Sequence, residues 1–227
     1  VIEFADVQDS VLRNTGLKVE KVNWFSTYHV HHRIAEKFQQ GRVFIAGDAG
    51  HIHSPAGGQG MNTGIGDGVN LAWKLADVLQ GRTSERILTS YEIERRAFAK
   101  ILIQTTDHAF KLIATRNFFG SLVRAYVLPT VFAGLTRINF ILKLMFRTIS
   151  QIRINYRHSF LSVGEVGDLQ SGDRLPWVVN SKSNNFENLK SLDWQVHIYG
   201  IASREFINYV KAAPIFEYEW NQMAEDK

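Results

Sequence analysis

The sequence predicts an α/β fold, and three observations carry that prediction. A short β-branched apolar run, Arg42 to Ala46, is bounded by Gly41 and Gly47 and opens into a glycine-rich stretch. Apolar residues then recur at helical spacing from Asn62 to Leu79. Near the other end, Trp194, Val196 and Ile198 alternate with polar neighbours ahead of a helical segment over 204–213. Strand signals that alternate with helix signals mark a sheet covered by helices.

Composition sets the bounds. A chain of 227 residues with 45% apolar and 21% charged side chains can bury a core, as one large domain or two small ones. The net charge of +4 is spread along the chain, a mild bias towards anionic ligands and not a nucleic-acid footprint. With no cysteine, disulfides, thiolate metal sites and a cysteine nucleophile are excluded. The opening Val-Ile-Glu-Phe does not read as a signal peptide, and a cytoplasmic protein is expected. It reads as the middle of a longer chain.

Taken in order, Leu17–Phe25 alternates Val19, Val22 and Trp24 with polar residues and predicts strands. Arg42–Ala46 predicts a buried strand inside a parallel sheet. Gly47–Gly68 holds eight of the 17 glycines. From Asn62, the residues Ile65, Val69, Ala72, Ala76 and Leu79 form one face of an amphipathic helix, which Gly81 is placed to end. A second helix starts near Ser84 or Ser90 and runs to about Ala114, with Glu92–Arg96 as solvent-facing ion pairs. The apolar stretch Phe118–Ile154 is broken by Arg124, Pro129, Gly134, Arg137, Lys143 and Arg147, so a transmembrane helix is not expected. Its helices would pack on the body or form a homodimer face; contact with a membrane surface is the sharper alternative. Tyr156–Pro176 reads as a glycine-rich loop or linker, followed by the start of a second α/β unit.

The segment that carries chemistry is Gly47 to Asn62. A strand ending at Gly47 would set Asp48 at its carboxyl edge, where open α/β sheets hold ligands. A carboxylate there can accept hydrogen bonds from sugar-like hydroxyls. A loop through Pro55, Gly57, Gly58 and Gly60 then enters the helix, and glycines let backbone approach a flat ligand. The first helical N–H groups, around Met61, Asn62 and Thr63, lack partners within the helix and favour an anion or a ring that becomes anionic.

These residues resemble the second flavin-binding motif of the class A flavoprotein monooxygenases, the phenol hydroxylase and para-hydroxybenzoate hydroxylase group. The likeness runs from Gly41-Arg-Val through Ala46-Gly-Asp48-Ala, His51, Pro55 and Met61-Asn62. It continues through Thr63-Gly64-Ile65, Asp67, Asn70-Leu-Ala-Trp-Lys-Leu75 and Tyr91-Glu-Ile-Glu-Arg-Arg96. Gly172-Asp173-Arg174-Leu-Pro176 resembles that family's entry into a C-terminal thioredoxin-like domain.

The resemblance implies the C-terminal part of a para-hydroxybenzoate hydroxylase-type FAD-binding fold over 1–160, with the FAD motif at 41–81 and helices at 84–155. Part of a thioredoxin-like domain would follow over 161–227; without cysteine its role would be structural. FAD would be the cofactor, NAD(P)H the reductant and a small aromatic, phenolic ring the substrate. Asp48 and Gly47 would hold the ribityl chain, and Pro55 would lie beside the reactive edge as the catalytic position. Gly57, Gly58 and Gly60 would pass along the ring, with Met61 and Asn62 offering N–H groups to its pyrimidine part. His51 is expected to pack and hydrogen-bond rather than act as an acid or base. The family's N-terminal GxGxxG unit has no counterpart in the sequence. Gly64–Gly68 lies within a helix and does not replace it, so a fragment that does not turn over alone is expected.

Other readings stay open at this point. His29, His31, His32, His51 and His53 cluster, yet no acidic residue completes a familiar ligand pattern, and no metal is assigned. Lys74, Arg95 and Arg96 suit ion pairing with Glu92 and Glu94 better than phosphate binding. A non-catalytic flavin-fold or dimerisation module, or a related flavin halogenase or oxidase, would share much of the same scaffold.

Overall fold

The structure, a computed structural model, describes residues 2–27, 31–53, 58–114, 125–126, 128–178, 184–210 and 213–218. Helix α1 spans Phe4–Thr15. Glu3 and Asp6 cap its start reciprocally, the Glu3 N–H donating to Asp6 Oδ2 at 2.9 Å, and Gly16 ends it in the left-handed region at φ 70°. The strands expected over Leu17–Phe25 are absent. Leu17 and Trp24 stand exposed there, and no neighbouring strand among the described residues pairs with that backbone.

Four short strands frame the next turns. β1 (Arg33–Ile34) pairs antiparallel with β4 (His51–Ile52), and β2 (Gln39–Gln40) pairs antiparallel with β3 (Val43–Phe44). The expectation of a buried parallel strand over Arg42–Ala46 is therefore corrected. Gly41 at φ 60° folds β3 back onto β2 as a tight hairpin, and alternation turns Val43 out to solvent. Phe44 points inward against Tyr91, at 6.2 Å between ring centroids.

Helix α2 (Gly60–Leu79) and helix α3 (Thr89–Ala114), the latter preceded by a 3₁₀ turn at Glu85–Leu88, match the predicted spans. Gly81 follows α2 at φ 70°. Which face is buried is reversed. Ile65, Val69 and Leu79 are exposed, whereas Thr63, Asp67, Asn70, Lys74 and Asp77 are buried. Those polar residues recur at the same spacing of four and three, and α3 meets them with Glu94 and Arg95. Glu94 and Arg95 thus lie in the interior, contrary to the solvent-facing pairs expected. Phe38, Tyr91 and Ala99 form the apolar core beside this interface, with Ile34, Phe44 and Leu71 packed around it.

Helices α4 (Leu128–Leu135) and α5 (Asn139–Ile149) follow, within the segment read as amphipathic. No described helix is long and apolar enough to cross a membrane. The predicted loop over Tyr156–Pro176 contains a small hairpin, β5 (Glu165–Val166) against β6 (Leu169–Gln170), with Gly164, Gly167 and Gly172 all at positive φ. The C-terminal strand-then-helix pattern is present as β7 (Val196–Tyr199), α6 (Arg204–Tyr209) and β8 (Ile215–Tyr218), with β7 and β8 parallel. Val178 and Tyr218 centre a second core there. Trp194 joins it to α2, donating its indole N–H to Asp77 Oδ2 at 2.7 Å and meeting Trp73 edge-on.

Candidate functional site

The turn Gly47–Ala49 is a single 3₁₀ turn between β3 and β4. Gly47 adopts φ 58°, a conformation that glycine takes without strain. Its Cα lies 3.4 Å from the position a Cβ on Gly64 would occupy, so the turn rests directly on the first turns of α2. Asp48 stands exposed in the middle of this turn, and its carboxylate accepts no hydrogen bond from the described residues. It is a charged acceptor facing outward.

The start of α2 supplies the complementary half. Gln59 occupies the N-cap without a side-chain cap, and the first helical bond runs from Thr63 N–H to Gln59 O at 3.0 Å. The N–H groups of Gly60, Met61 and Asn62 precede that bond and have no acceptor within the helix. Met61 and Asn62 are exposed. Gly58 adopts φ 63° with open space where a Cβ would stand, and the Gly60 backbone sits against the His53 ring. Gly47, Asp48, Gly58, Gly60, Met61 and Asn62 thus fall on two adjoining pieces of backbone. Pro55 and Gly57 lie outside the described residues.

Beneath this surface is a buried polar network. Asp67 Oδ2 accepts from the Gly47 N–H at 3.0 Å and from His51 Nε2 at 2.8 Å, while Oδ1 accepts from Arg95 Nε at 2.7 Å. Burial pushes the Asp67 carboxyl up, but the hydrogen bonds from His51 and Arg95, the Arg95 charge and the Gly47 N–H together hold it below the usual carboxylate range. An ionised Asp67 only accepts, so His51 carries its proton on Nε2. This agrees with the packing and hydrogen-bonding role expected for His51, whose ring stacks on Phe38 at 6.1 Å.

Arg95 continues the network, donating from Nη2 to Thr63 O at 3.1 Å and from Nη1 to the Tyr156 hydroxyl at 3.0 Å. Two turns further along, Lys74 Nζ donates to Glu94 Oε2 at 2.7 Å, and Asn70 and Ser159 also donate to Glu94. Burial lowers the Lys74 ammonium from its usual range against the pull of Glu94. Glu92, on α3, accepts the N–H groups of Phe38 and Gln39, and the Tyr91 hydroxyl donates to Ile45 O at 2.7 Å. Asp67 was quoted in the motif but given no role. The signal was present in the polar residues of α2, which repeat at the apolar spacing opposite Glu94 and Arg95.

The surface arrangement offers a carboxylate for hydroxyl groups, a glycine edge for a flat ring and free amides for its negative side. A cleft of about 1120 Å³ lies elsewhere and is lined by Arg147, Arg153, Arg157, Arg174, Trp177 and Phe186 among others.

Comparison with known proteins gives a concordant picture. Residues 5–106 match a family described as an FAD binding domain. The chain is 46% identical over 110 residues to the 6-methylpretetramide 4-monooxygenase of Streptomyces rimosus, covering 48% of this chain and 20% of that protein. It is 36% identical over 180 residues to a flavin-dependent monooxygenase of Mycobacteroides abscessus, covering 78% of this chain and 31% of that one. The chain therefore spans less than a third of either relative. Among solved structures, the anhydrotetracycline hydroxylase OxyS of Streptomyces rimosus superposes with a TM-score of 0.69 at 26% identity, over 96% of this chain and 44% of that one. A structure of BexE, from a study of oxidation during BE-7585A biosynthesis, superposes with a TM-score of 0.72 at 29% identity, over 96% of this chain and 44% of that one.

Proposed function

We propose that the chain is the C-terminal portion of a class A FAD-dependent aromatic monooxygenase and that it contributes the ribityl and ring contacts of a flavin hydroxylase. The reaction is the hydroxylation of an aromatic, phenol-like ring with NAD(P)H and O₂. The observation that carries this reading is the pairing, across one turn, of an Asp48 carboxylate without a partner among the described residues and an α2 N-terminus that the Gln59 side chain does not cap. FAD presents a matching pattern: hydroxyls along its ribityl chain, and a ring whose pyrimidine side gathers negative charge on reduction. Bound there, it supplies electron transfer from NAD(P)H and activation of O₂.

The chain's own residues do the holding. Asp48 accepts from ribityl hydroxyls. Gly58 and Gly60 keep side chains out of the plane the ring would occupy, and the N–H groups of Met61 and Asn62 meet its acceptor edge with the positive end of the helix dipole behind them. In this reading Pro55 is the residue beside the reactive edge and Gly57 belongs to the turn along the ring; both lie outside the described residues. Residues 1–160 form this portion, and 161–227 form part of a thioredoxin-like domain without dithiol chemistry.

The test is made on the full-length protein loaded with FAD. NAD(P)H consumption that rises with a phenolic compound, and a product carrying one oxygen from labelled O₂, are the expected results. Flavin uptake with no oxygen transfer to any aromatic ring tried would refute the hydroxylase.

A further inference from the structure

We propose that Asp67 is a positioning residue for the flavin, setting the distance between the Asp48 carboxylate and the free amides at the start of α2. The inference rests on the flavin reading of Gly47–Asn62.

Three features carry it. First, one oxygen of Asp67 holds both ends of the turn that presents Asp48: the Gly47 N–H as the chain enters and His51 Nε2 as it leaves. Second, the other oxygen is clamped by Arg95, which also donates to Thr63 O, next to the free amides of Gly60, Met61 and Asn62. Turn, Asp67, Arg95 and the first turn of α2 are thus linked by hydrogen bonds, and the close packing of Gly47 on Gly64 closes the ring. Asp67 and Arg95 are buried to 0% and 2% exposure, which leaves little room for rearrangement. Third, glycines make the ring possible. A Cβ on Gly66 would stand 3.0 Å from Arg95 Nη2, and one on Gly64 would meet Gly47 at 3.4 Å.

A purely structural ion pair needs none of this. Lys74 and Glu94 form one across the same two helices, equally buried, with no bond to the turn. The pair is a built-in control. Asp67→Asn keeps the shape but removes the charge that holds three donors at once, whereas Lys74→Met breaks a buried pair away from the site.

The experiment measures FAD affinity of the full-length apoprotein by fluorescence titration, with folding followed by circular dichroism. D67N is expected to weaken FAD about tenfold or more and to blur the vibrational structure of the bound flavin spectrum. K74M is expected to lower the melting temperature yet bind FAD within about twofold of the parent. If D67N does not fold, Asp67→Glu decides, because it keeps the charge for Arg95 while displacing the oxygen from Gly47. Parental affinity in D67N or, failing that, in D67E overturns the proposal, as does equal weakening in D67N and K74M. Asp48→Ala separates the levels. Weakened binding in D48A with parental binding in D67N removes only the positioning role, and parental binding in both removes the flavin reading beneath it.

Discussion

Asp48 and Gly58 make opposite demands on one site, the first presenting a charge and the second presenting nothing. Asp48 is exposed with no partner among the described residues, so its removal should leave the fold intact. Asp48→Ala should weaken FAD about tenfold or more in a titration of the full-length protein, and unchanged affinity would remove the ribityl role. Gly58 sits at φ 63° with free space before it. Gly58→Trp should strain the backbone and fill that space, giving a protein purified with little or no flavin; one as yellow as the parent would refute the ring contact. Both proposed roles could be read from the sequence because each would rest on the residue's own chemistry, a lone carboxylate and a missing Cβ. Asp67 was not, because its role depends on Gly47, His51 and Arg95, which only the fold brings to one carboxylate.

At the scale of elements, α2 shows where periodicity stops informing. Its span followed from the spacing of apolar residues and from Gly81, yet its buried face is the polar one. Two stripes of equal period run along the helix, and a single sequence does not say which meets α3. The choice follows from complementarity, with Asp67 to Arg95, Lys74 to Glu94 and Asp77 to Trp194. Such an interface is costly to break on one side. Lys74→Met should destabilise the protein by about 3–5 kcal/mol in urea unfolding, and Glu94→Leu added to it should recover a large part. A loss under about 1 kcal/mol would show that water reaches Glu94.

The same interface predicts a response to acid. The folded-state pKa of Asp67 is depressed, so its contribution is complete above the unfolded value of about 3.8 and is lost as pH falls through the lower folded value. Melting temperature should therefore drop below about pH 4, and D67N, less stable throughout, should show a shallower drop. Parallel curves would mean that other carboxylates govern the acid limb. The short strands were the least legible elements. β3 read as buried from its β-branched run, but Gly41 turned it into an exposed hairpin arm.

The whole molecule carries more surface than a compact chain of its mass. Its accessible area is 17234 Å², against about 10,500 Å² for a folded monomer of that size. Large apolar side chains stand exposed, including Met61, Ile65, Val69 and Leu79 on α2 and Phe140 and Phe146 on α5. This agrees with a chain that matches 44% of the OxyS structure and with cores as small as those around Tyr91 and Val178. The α/β class and the C-terminal strand-then-helix pattern were legible because both rest on local pattern, whereas the closing strand β8 was not read.

One measurement bears most directly on the claim that Gly47 to Asn62 is a flavin site: the visible absorption spectrum of the purified full-length protein, with bound FAD counted per chain. The account predicts flavin bands at one FAD per chain, lost in the Asp48→Ala, Gly58→Trp double variant while circular dichroism stays native. Flavin retained in full by that variant, or a folded parent protein that takes up no FAD at all, would contradict it.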